Sequence, residues 1–312
     1  MEPTERGKDF AASVLRVWAG EALPRYVVKI RQADASRDTA AAIARHVADH
    51  GVPGVVAPTR TRAGALAARA NASSITVYPF IDGEMGIEMH MSDDSWRALG
   101  SFARELHATT LPPAVADIAP REAYRPNEIE LIGPLDRAIR GEPPRDALAG
   151  RVGELWRDHR EEILALAERT EVLGEALRRR SLPLVTCHAD LHTGNLIVDR
   201  RGGLWVIDWD EVVLAPKERD LMFSVGGGIS TQLVDLDATA RFLEGYGESQ
   251  IDGEALAYYR HAWAIQDVGG YAWRAILDES ATENEREDAV RILFGLFAPG
   301  EIVDLAARSE AG

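Results

Sequence analysis

Three side chains within twenty residues have the types and spacing to do chemistry together: Asp190, Asn195 and Asp208. Asp190 and Asn195 belong to His188-Ala189-Asp190-Leu191-His192-Thr193-Gly194-Asn195, and Asp208 opens Asp208-Trp209-Asp210. An amide oxygen and a carboxylate facing one small volume suit a hard cation such as Mg²⁺, which takes oxygen ligands and keeps several waters. Asp190 is then left to accept the proton of a substrate hydroxyl. With a lysine to neutralise phosphate charge, the set describes phosphoryl transfer. Lys29, inside the apolar run Tyr26 to Ile30, is the candidate lysine. A metallohydrolase is the rival, because His188, Asp190 and His192 alternate, Asp208 and Asp210 follow, and a Zn²⁺ or two-metal site can be drawn from them. A hydrolase leaves Lys29 without a role and finds no further His-rich motif upstream. Phosphoryl transfer is therefore preferred.

These side chains need elements to hold them. Leu184 to Thr186, Leu196 to Val198 and Leu204 to Ile207 are short β-type runs. The last two are joined through a Gly-containing turn and read as a hairpin. If Arg200 to Gly203 is the turn, Asp199 pairs with Leu204 and Asn195 stands opposite Asp208. Directly opposed residues have Cβ atoms roughly 4.5–5.5 Å apart, close enough to share a cation.

The chain before this hairpin changes character once. Val14 to Trp18 and Tyr26 to Ile30 alternate as two strands around the turn segment 19–25. An Ala-rich helix is expected over Asp38 to His50, with Gly51 as its C-cap. Val55 to Pro58 and Ile75 to Tyr78 are further strand candidates, and Ala65 to Ala72 is ambiguous. Past the linker Pro79 to Gly83 the pattern turns helical. Ser92 is an N-cap for a helix over Asp93 to Thr109. Short helices and loops are expected over 111–150, and a long helix over Arg151 to Arg180 with a possible break near Thr170. After the hairpin come helices from Glu218 to Val225, stopped by Gly226-Gly227-Gly228, then Leu236 to Glu244, Gly253 to Leu277 and Asn284 to Phe297. There is no internal repeat.

Bulk properties narrow the class. A chain of 312 residues fits two lobes with sizeable cores. Its 46% apolar and 27% charged residues are ordinary for a soluble protein. No apolar run approaches the ~20 residues of a membrane span, and MEPTERGKDF has no signal-peptide core. One cysteine, Cys187, suits a reducing cytoplasm and is expected to be a buried small apolar residue. A net charge of −15 argues against nucleic acid or an anionic membrane as the main partner. It suits a cationic small substrate, and equally a protein kept soluble by its charge.

The segment His188 to Asn195 resembles the HxDxxxxN catalytic loop of the aminoglycoside phosphotransferase and choline kinase-like proteins. Ile207-Asp208-Trp209-Asp210 is similar to their second metal motif, and Pro216 to Leu221 to the segment after it. Tyr26 to Lys29 resembles their lysine strand, and Val77 to Phe80 their hinge. The resemblance covers nearly the whole chain. It implies an α+β, bilobal protein-kinase-like fold, with an N-lobe over 1–78, a hinge over 79–82 and a mainly helical C-lobe over 83–312. It implies ATP with Mg²⁺, Asp190 as catalytic base, and Asn195 and Asp208 on the metal. Lys29 would meet the phosphates, and Tyr78 and Phe80 would lie at the adenine. A phosphate loop would run from Gly7 to Ser13, with Ser13 contributing its hydroxyl and N–H. That loop has one glycine and lies almost at Met1, so either the native start lies upstream or the N-lobe is trimmed.

The family pairs its lysine with a helix carboxylate. No Glu occurs between Ile30 and Gly83, which makes Asp38 the candidate partner and Asp34 the next. His188 and Asp220 are expected to brace the catalytic loop. His192 is expected to do the same or to touch substrate, and Asp210 to support the metal residue or meet a cationic substrate. Tyr258, Tyr259, Trp263, Tyr271 and Trp273 are expected in the core, while Asp267 and Glu279 suit either substrate ammonium groups or solvent. Ala12-Ser13-Val14, Gly245-Tyr246-Gly247, Asp252 and Tyr258-Tyr259-Arg260 are most similar to the spectinomycin phosphotransferase branch. The acceptor implied is an aminoglycoside or aminocyclitol. A choline-, homoserine- or sugar-type kinase, or a kinase-like protein that binds nucleotide without turnover, are the alternatives.

Overall fold

The computed structural model describes residues 2–3, 12–20, 23–141, 143–226 and 234–309. The expected phosphate-loop residues 7–11 and the glycines 227–228 lie outside the described residues. Alternation near the N-terminus produces β1 (Glu2–Pro3), β2 (Ala12–Val17) and β3 (Tyr26–Gln32). Then follow α1 (Ala35–Asp49), β4 (Ala67–Ala70), β5 (Ser73–Pro79) and β6 (Gly83–Met85). Four helices come next: α2 (Asp93–Ala108), α3 (Pro113–Ala116), α4 (Ile129–Gly141) and α5 (Ala147–Asp158). After α6 (Arg160–Arg178) the chain forms β7 (Val185–Cys187), β8 (Leu196–Asp199), β9 (Leu204–Val206) and β10 (Val213–Ala215). It closes with α7 (Glu218–Leu221), α8 (Leu236–Tyr246), α9 (Gly253–Ile276), α10 (Glu283–Gly295) and α11 (Ile302–Arg308). This is the α+β, kinase-like composition expected, with one helix, α11, that the periodicity did not mark. Among the described residues no helix is long and apolar enough to cross a membrane.

The chain falls into two compact units. One comprises Met1–Glu122, Leu184–Asp220 and Leu236–Ser249; the other comprises Ala123–Pro183, Leu221–Asp235 and Gln250–Gly312. This grouping cuts across the expected lobes, because the segments after the linker and around the hairpin belong with the N-terminal sheet.

In the first unit a five-stranded antiparallel sheet has the order β1-β2-β3-β5-β4, which makes the lysine strand central. Val14 is opposite Lys29 and Arg16 opposite Val27. Strand alternation therefore gathers Val14, Arg16, Val27, Lys29 and Arg31 on one face. Helix α1 starts three residues earlier than expected, because the Asp34 side chain accepts from Ser36 N and caps it. Val55 to Pro58 is not a strand. Gly54 has φ +79° and Pro58 lacks an N–H, so the run is short, and Val56 N donates to Val206 O at 3.0 Å instead. Ser92 caps α2 as expected. Helix α2 packs on α8 with little between the backbones: a Cβ on Gly100 would strike Phe242 O, and one on Gly245 would strike Arg97 O.

The second unit is built around α9, which is apolar on almost every side and buried along most of its length. The long helix expected over 151–180 breaks at His159, between α5 and α6, and not near Thr170. Thr170 is buried inside α6, which runs unbroken through it, and its hydroxyl donates to Leu166 O at 2.7 Å. Tyr258, Tyr259 and Trp263 lie in this core as expected.

Candidate active site

The hairpin that carries the site has a register one residue away from the one expected. Leu196 pairs with Val206 and Val198 with Leu204, so Asn195 stands opposite Ile207 and not opposite Asp208. The cause is the turn. Asp199 N donates to Gly203 O at 2.9 Å and Gly202 N to Asp199 O at 2.9 Å, leaving a three-residue loop closed by Gly202 at φ +83°. Asp199 Oδ1 accepts from Arg201 N at 2.8 Å and Gly203 N at 2.9 Å, which fixes that geometry. Alternation would then send Asp208 to the buried side with Leu196 and Val206. Its backbone is instead left-handed, φ +58° and ψ +69°, a conformation that Asp tolerates better than most residues. The alternation breaks there, and Asp208 lines the same cavity as Asn195.

Asp190 follows a second left-handed residue, Ala189 at φ +67°. A non-glycine residue is costly there, and the surroundings over-determine it. Buried Asp220 accepts from Ala189 N at 2.7 Å and from His188 N at 2.9 Å. His107 Nε2 donates to the same carboxylate at 3.0 Å, and Tyr246 OH meets His107 Nδ1 at 2.8 Å. His188 is fully buried. Its Nε2–H donates to Ile207 O at 3.0 Å, and its Nδ1 accepts from Asp190 N at 3.3 Å. The ring of Trp209 packs edge-on against it at 4.9 Å. His188 and Asp220 are thus braces, as expected. His192 Nδ1 accepts from Gly194 N at 3.0 Å, and its Nε2 lies 3.3 Å from Asp190 Oδ1.

The Asn195 amide donates to Asp190 O at 2.8 Å and to Asp190 Oδ2 at 2.6 Å. Both bonds use the nitrogen, so the amide oxygen is the acceptor left over. Among the described residues Asp190 Oδ1 is met only by His192 Nε2, at 3.3 Å. Burial alone would push the Asp190 carboxyl up, but the imidazoles of His192 and His188 and the Asn195 amide outweigh it and hold it at about 2. Asp208 is pushed up by the enclosing cavity wall, against the pull of Lys29, and further by the neighbouring carboxylates of Asp210 and Asp190. Burial also acts on Asp210, but Lys29 and Arg31 pull it down to about 2.

Lys29 is buried, with Nζ 3.1 Å from Asp208 Oδ1 and 2.6 Å from Asp210 Oδ2. The pair expected with Asp38 is not made. Asp38 points along the surface to Arg69, and Asp34 is spent on the α1 cap. Ser13 is also misplaced by the expectation. It sits opposite Ile30, one residue out of phase with Val14 and Lys29, so alternation turns its exposed side chain away from the cavity.

The cavity itself measures about 210 Å³ and is lined by Val14, Arg16, Val27, Lys29 and Val56 on one side and by Asn195, Ile197, Ile207 and Asp208 on the other. Tyr78, Pro79, Phe80 and Ile81 close one end. Phe80 N donates to Arg25 O at 3.1 Å, and Arg16 lies over the Phe80 ring at 5.9 Å. Burial, with Asp210 nearby, pushes the Tyr78 hydroxyl up to about 12, so it remains a protonated donor. An apolar slot that ends in the Asp208 carboxylate, an amide oxygen and a lysine can hold a flat heterocycle carrying phosphates and a hard cation.

A zinc site is a poor fit to the same residues, because both His188 nitrogens and His192 Nδ1 are already committed. Among the described residues His107, Cys187 and Asp220 also bring ligand atoms within 4.8 Å of one another. There the Asp220 oxygens are taken by N–H donors, and burial pushes the Cys187 thiol up.

A family model described as the phosphotransferase enzyme family matches residues 3–263. The chain belongs to that family. The structure is similar to a spectinomycin phosphotransferase solved with ADP and spectinomycin, at 26% identity and a TM-score of 0.88, over 99% of this chain and 92% of that one. An AMP-bound spectinomycin phosphotransferase structure is similar at 27% identity and a TM-score of 0.82, over 96% and 91% of the two chains. An ethanolamine kinase of Plasmodium vivax shares the fold at 13% identity and a TM-score of 0.58, over 95% and 82% of the two chains. No curated protein matches the chain. Three site residues escaped the sequence. Arg31 and Arg37 surround Asp210, and His107 supports Asp220. Only Arg31 had a signal, two positions from Lys29 on the same strand face.

Proposed function

We propose that this phosphotransferase moves the γ-phosphoryl group of Mg-ATP to a hydroxyl of a small cationic molecule, an aminoglycoside or aminocyclitol such as spectinomycin. One observation carries the reading: Asp190, held through Oδ2 by Asn195, has Oδ1 met only by His192 at 3.3 Å, and Asn195 itself lines a cavity shared with Asp208 and Lys29. The donor set fits a divalent cation, and Asn195 Oδ1 with the Asp208 carboxylate would hold it. When bound, Mg²⁺ would neutralise phosphate charge as it develops in the transition state. Lys29 adds a second positive charge from the sheet. Val14, Val27, Ile197 and Ile207 would enclose the adenine, with the 79–82 hinge at its edge and residues 1–78 as the nucleotide-binding lobe.

Asp190 orients the acceptor hydroxyl through Oδ1 and takes its proton late. A carboxylate held at about 2 is a weak base. That suits phosphoryl transfer, in which positioning and charge stabilisation carry most of the catalysis. Asn195 fixes the Asp190 rotamer through Oδ2, while His188, His192 and Asp220 fix the loop beneath it. The acceptor class is supported by similarity to the structure solved with spectinomycin and by the net charge of −15, which would attract a cation. The −15 charge and the single buried cysteine also fit a cytoplasmic enzyme.

The test is ADP release with Mg-ATP over a panel of aminocyclitols, aminoglycosides, amino alcohols, homoserine and sugars. Asp190→Asn should lower kcat by roughly 100-fold or more. Turnover untouched by that substitution would refute the assignment. ATP binding with no turnover on any acceptor would make the protein a binding module, and a stoichiometric, tightly held Zn²⁺ would return the hydrolase.

A further inference from the structure

Helix α1 carries no carboxylate to Lys29; it reaches the site with a cation. Arg37 NH1 donates to Asp210 O at 2.8 Å and to Glu211 Oε1 at 2.9 Å. Arg31, from the lysine strand, donates to the same Asp210 Oδ2 that Lys29 holds at 2.6 Å. We propose that Asp210 is the resting partner of Lys29, and that Arg31 is the fixed countercharge that allows Lys29 to leave it for the nucleotide phosphates. The proposal rests on the phosphotransferase reading above, and it makes Arg31, Arg37 and Asp210 positioning residues of the nucleotide site.

The two carboxylates beside Lys29 differ in a way that assigns them different tasks. The Asp210 side chain is 12% exposed and Arg31 is 7% exposed, whereas Asp208 is 37% exposed toward the cavity. An enclosed carboxylate that loses its cation is left with an uncompensated desolvation cost. Asp210 avoids this because Arg31 stays when Lys29 moves, and a guanidinium fork can keep its bond through small shifts of its neighbours. Among the described residues no arginine is bonded to Asp208. Departure of Lys29 therefore frees Asp208 oxygens at the position where a cation would be held, while Asp210 remains locked. Alternation makes the exchange possible in one strand, since residues 29 and 31 point to the same face. Arg37 fixes the backbone carbonyl of Asp210, so α1 and the Asp208–Asp210 turn form one piece.

The test compares binding of ATP and of adenosine to wild type and Arg31→Gln by calorimetry, without turnover. The wild type is expected to prefer ATP. In R31Q only Arg37, with NH1 3.9 Å from Asp210 Oδ2, remains beside Lys29, so the ATP Kd should rise roughly tenfold while adenosine, which lacks phosphate, binds as before. Asp210→Asn in the R31Q background should recover most of the loss, because Lys29 is released. R31K keeps a positive charge and should fall between wild type and R31Q, and it decides the matter if R31Q does not fold. Equal loss of ATP and adenosine in a folded variant, no loss of either, or a double variant no better than R31Q would each overturn the proposal. A wild type that binds neither ligand would sink the phosphotransferase reading as well. A wild type that binds ATP beside an unaffected R31Q sinks this proposal alone.

Discussion

Replacing Asp220 with Asn changes one oxygen for one NH₂ at the point where the catalytic loop is fixed. Asp220 accepts from His188 N, Ala189 N and His107 Nε2 at 2.9, 2.7 and 3.0 Å, and it is fully buried. The Asn amide can take two orientations. With the nitrogen toward Ala189, that N–H loses its acceptor. With the nitrogen toward His188, that N–H loses its acceptor, while His107 can change tautomer and accept. At least one buried backbone N–H is therefore stranded in either case. A hydrogen bond to a charged group contributes about 1.5–3 kcal/mol, and a buried donor left unpaired costs about 1–3 kcal/mol. These overlap in part, which gives roughly 2–4 kcal/mol for D220N. In a chain of this size the unfolding midpoint should drop by roughly 3–6 °C. Ala189 is held in the left-handed region partly by the lost bond, so Asp190 should also be mispositioned. Below the midpoint, kcat should fall by more than tenfold with little change in nucleotide affinity, because the cavity wall is untouched. The assays are thermal melts and steady-state phosphotransfer at saturating acceptor. A D220N enzyme that melts within a degree of wild type, or melts lower with an unchanged kcat, refutes the reasoning.

The pH dependence and the hairpin turn give further outcomes. The Asp190 carboxyl is held at about 2, so it is ionised at every working pH, and an acid limb in kcat/KM cannot be its own. Asp208 is shifted upward, so its protonated form is the one that grows as pH falls and displaces the cation. The acid limb should move to lower pH when Mg²⁺ is raised, and a limb that ignores Mg²⁺ would contradict this assignment. Gly202→Ala places a Cβ at φ +83°, which costs about 1–2 kcal/mol in the left-handed region. Urea melts should show that loss, and an unchanged midpoint would mean the three-residue loop can re-form in another geometry.

Much of the fold could be read because its elements repeat a period over many residues. The α1, α2, α9 and α10 patterns ran long enough for burial to enforce them, and Ser92 and Gly51 marked helix ends by their own chemistry. The hairpin was legible as a hairpin, but its register was not. Arg200 to Gly203 holds two adjacent glycines, and either a three- or a four-residue loop can be drawn through them. Asp199 decided between them by capping Arg201 N and Gly203 N, a contact with no periodic trace. The lysine's partner was hidden for a different reason. A carboxylate on α1 would lie close in sequence, but the pairing crosses about 180 positions, from Lys29 to Asp210. Ser13 adjoins the expected loop in sequence, but one residue of strand phase turns its side chain to the other face.

Asn195 and Asp208 line one cavity without standing opposite each other, because the left-handed backbone at Asp208 breaks the strand alternation. A strand alone offers a single choice, one face or the other. Two left-handed residues, Ala189 and Asp208, add a third direction at the two points where the chain must turn a side chain toward the substrate. Each conformation is costly in isolation and stands beside a dense set of braces. Asp220, His107 and Tyr246 serve Ala189, while Trp209, packed on His188 and Phe102, anchors the residue after Asp208. The buried polar network behind the loop and the Asp190 and Asp208 carboxylates in front of it are parts of one device. Loosening the first should therefore move the second without touching it.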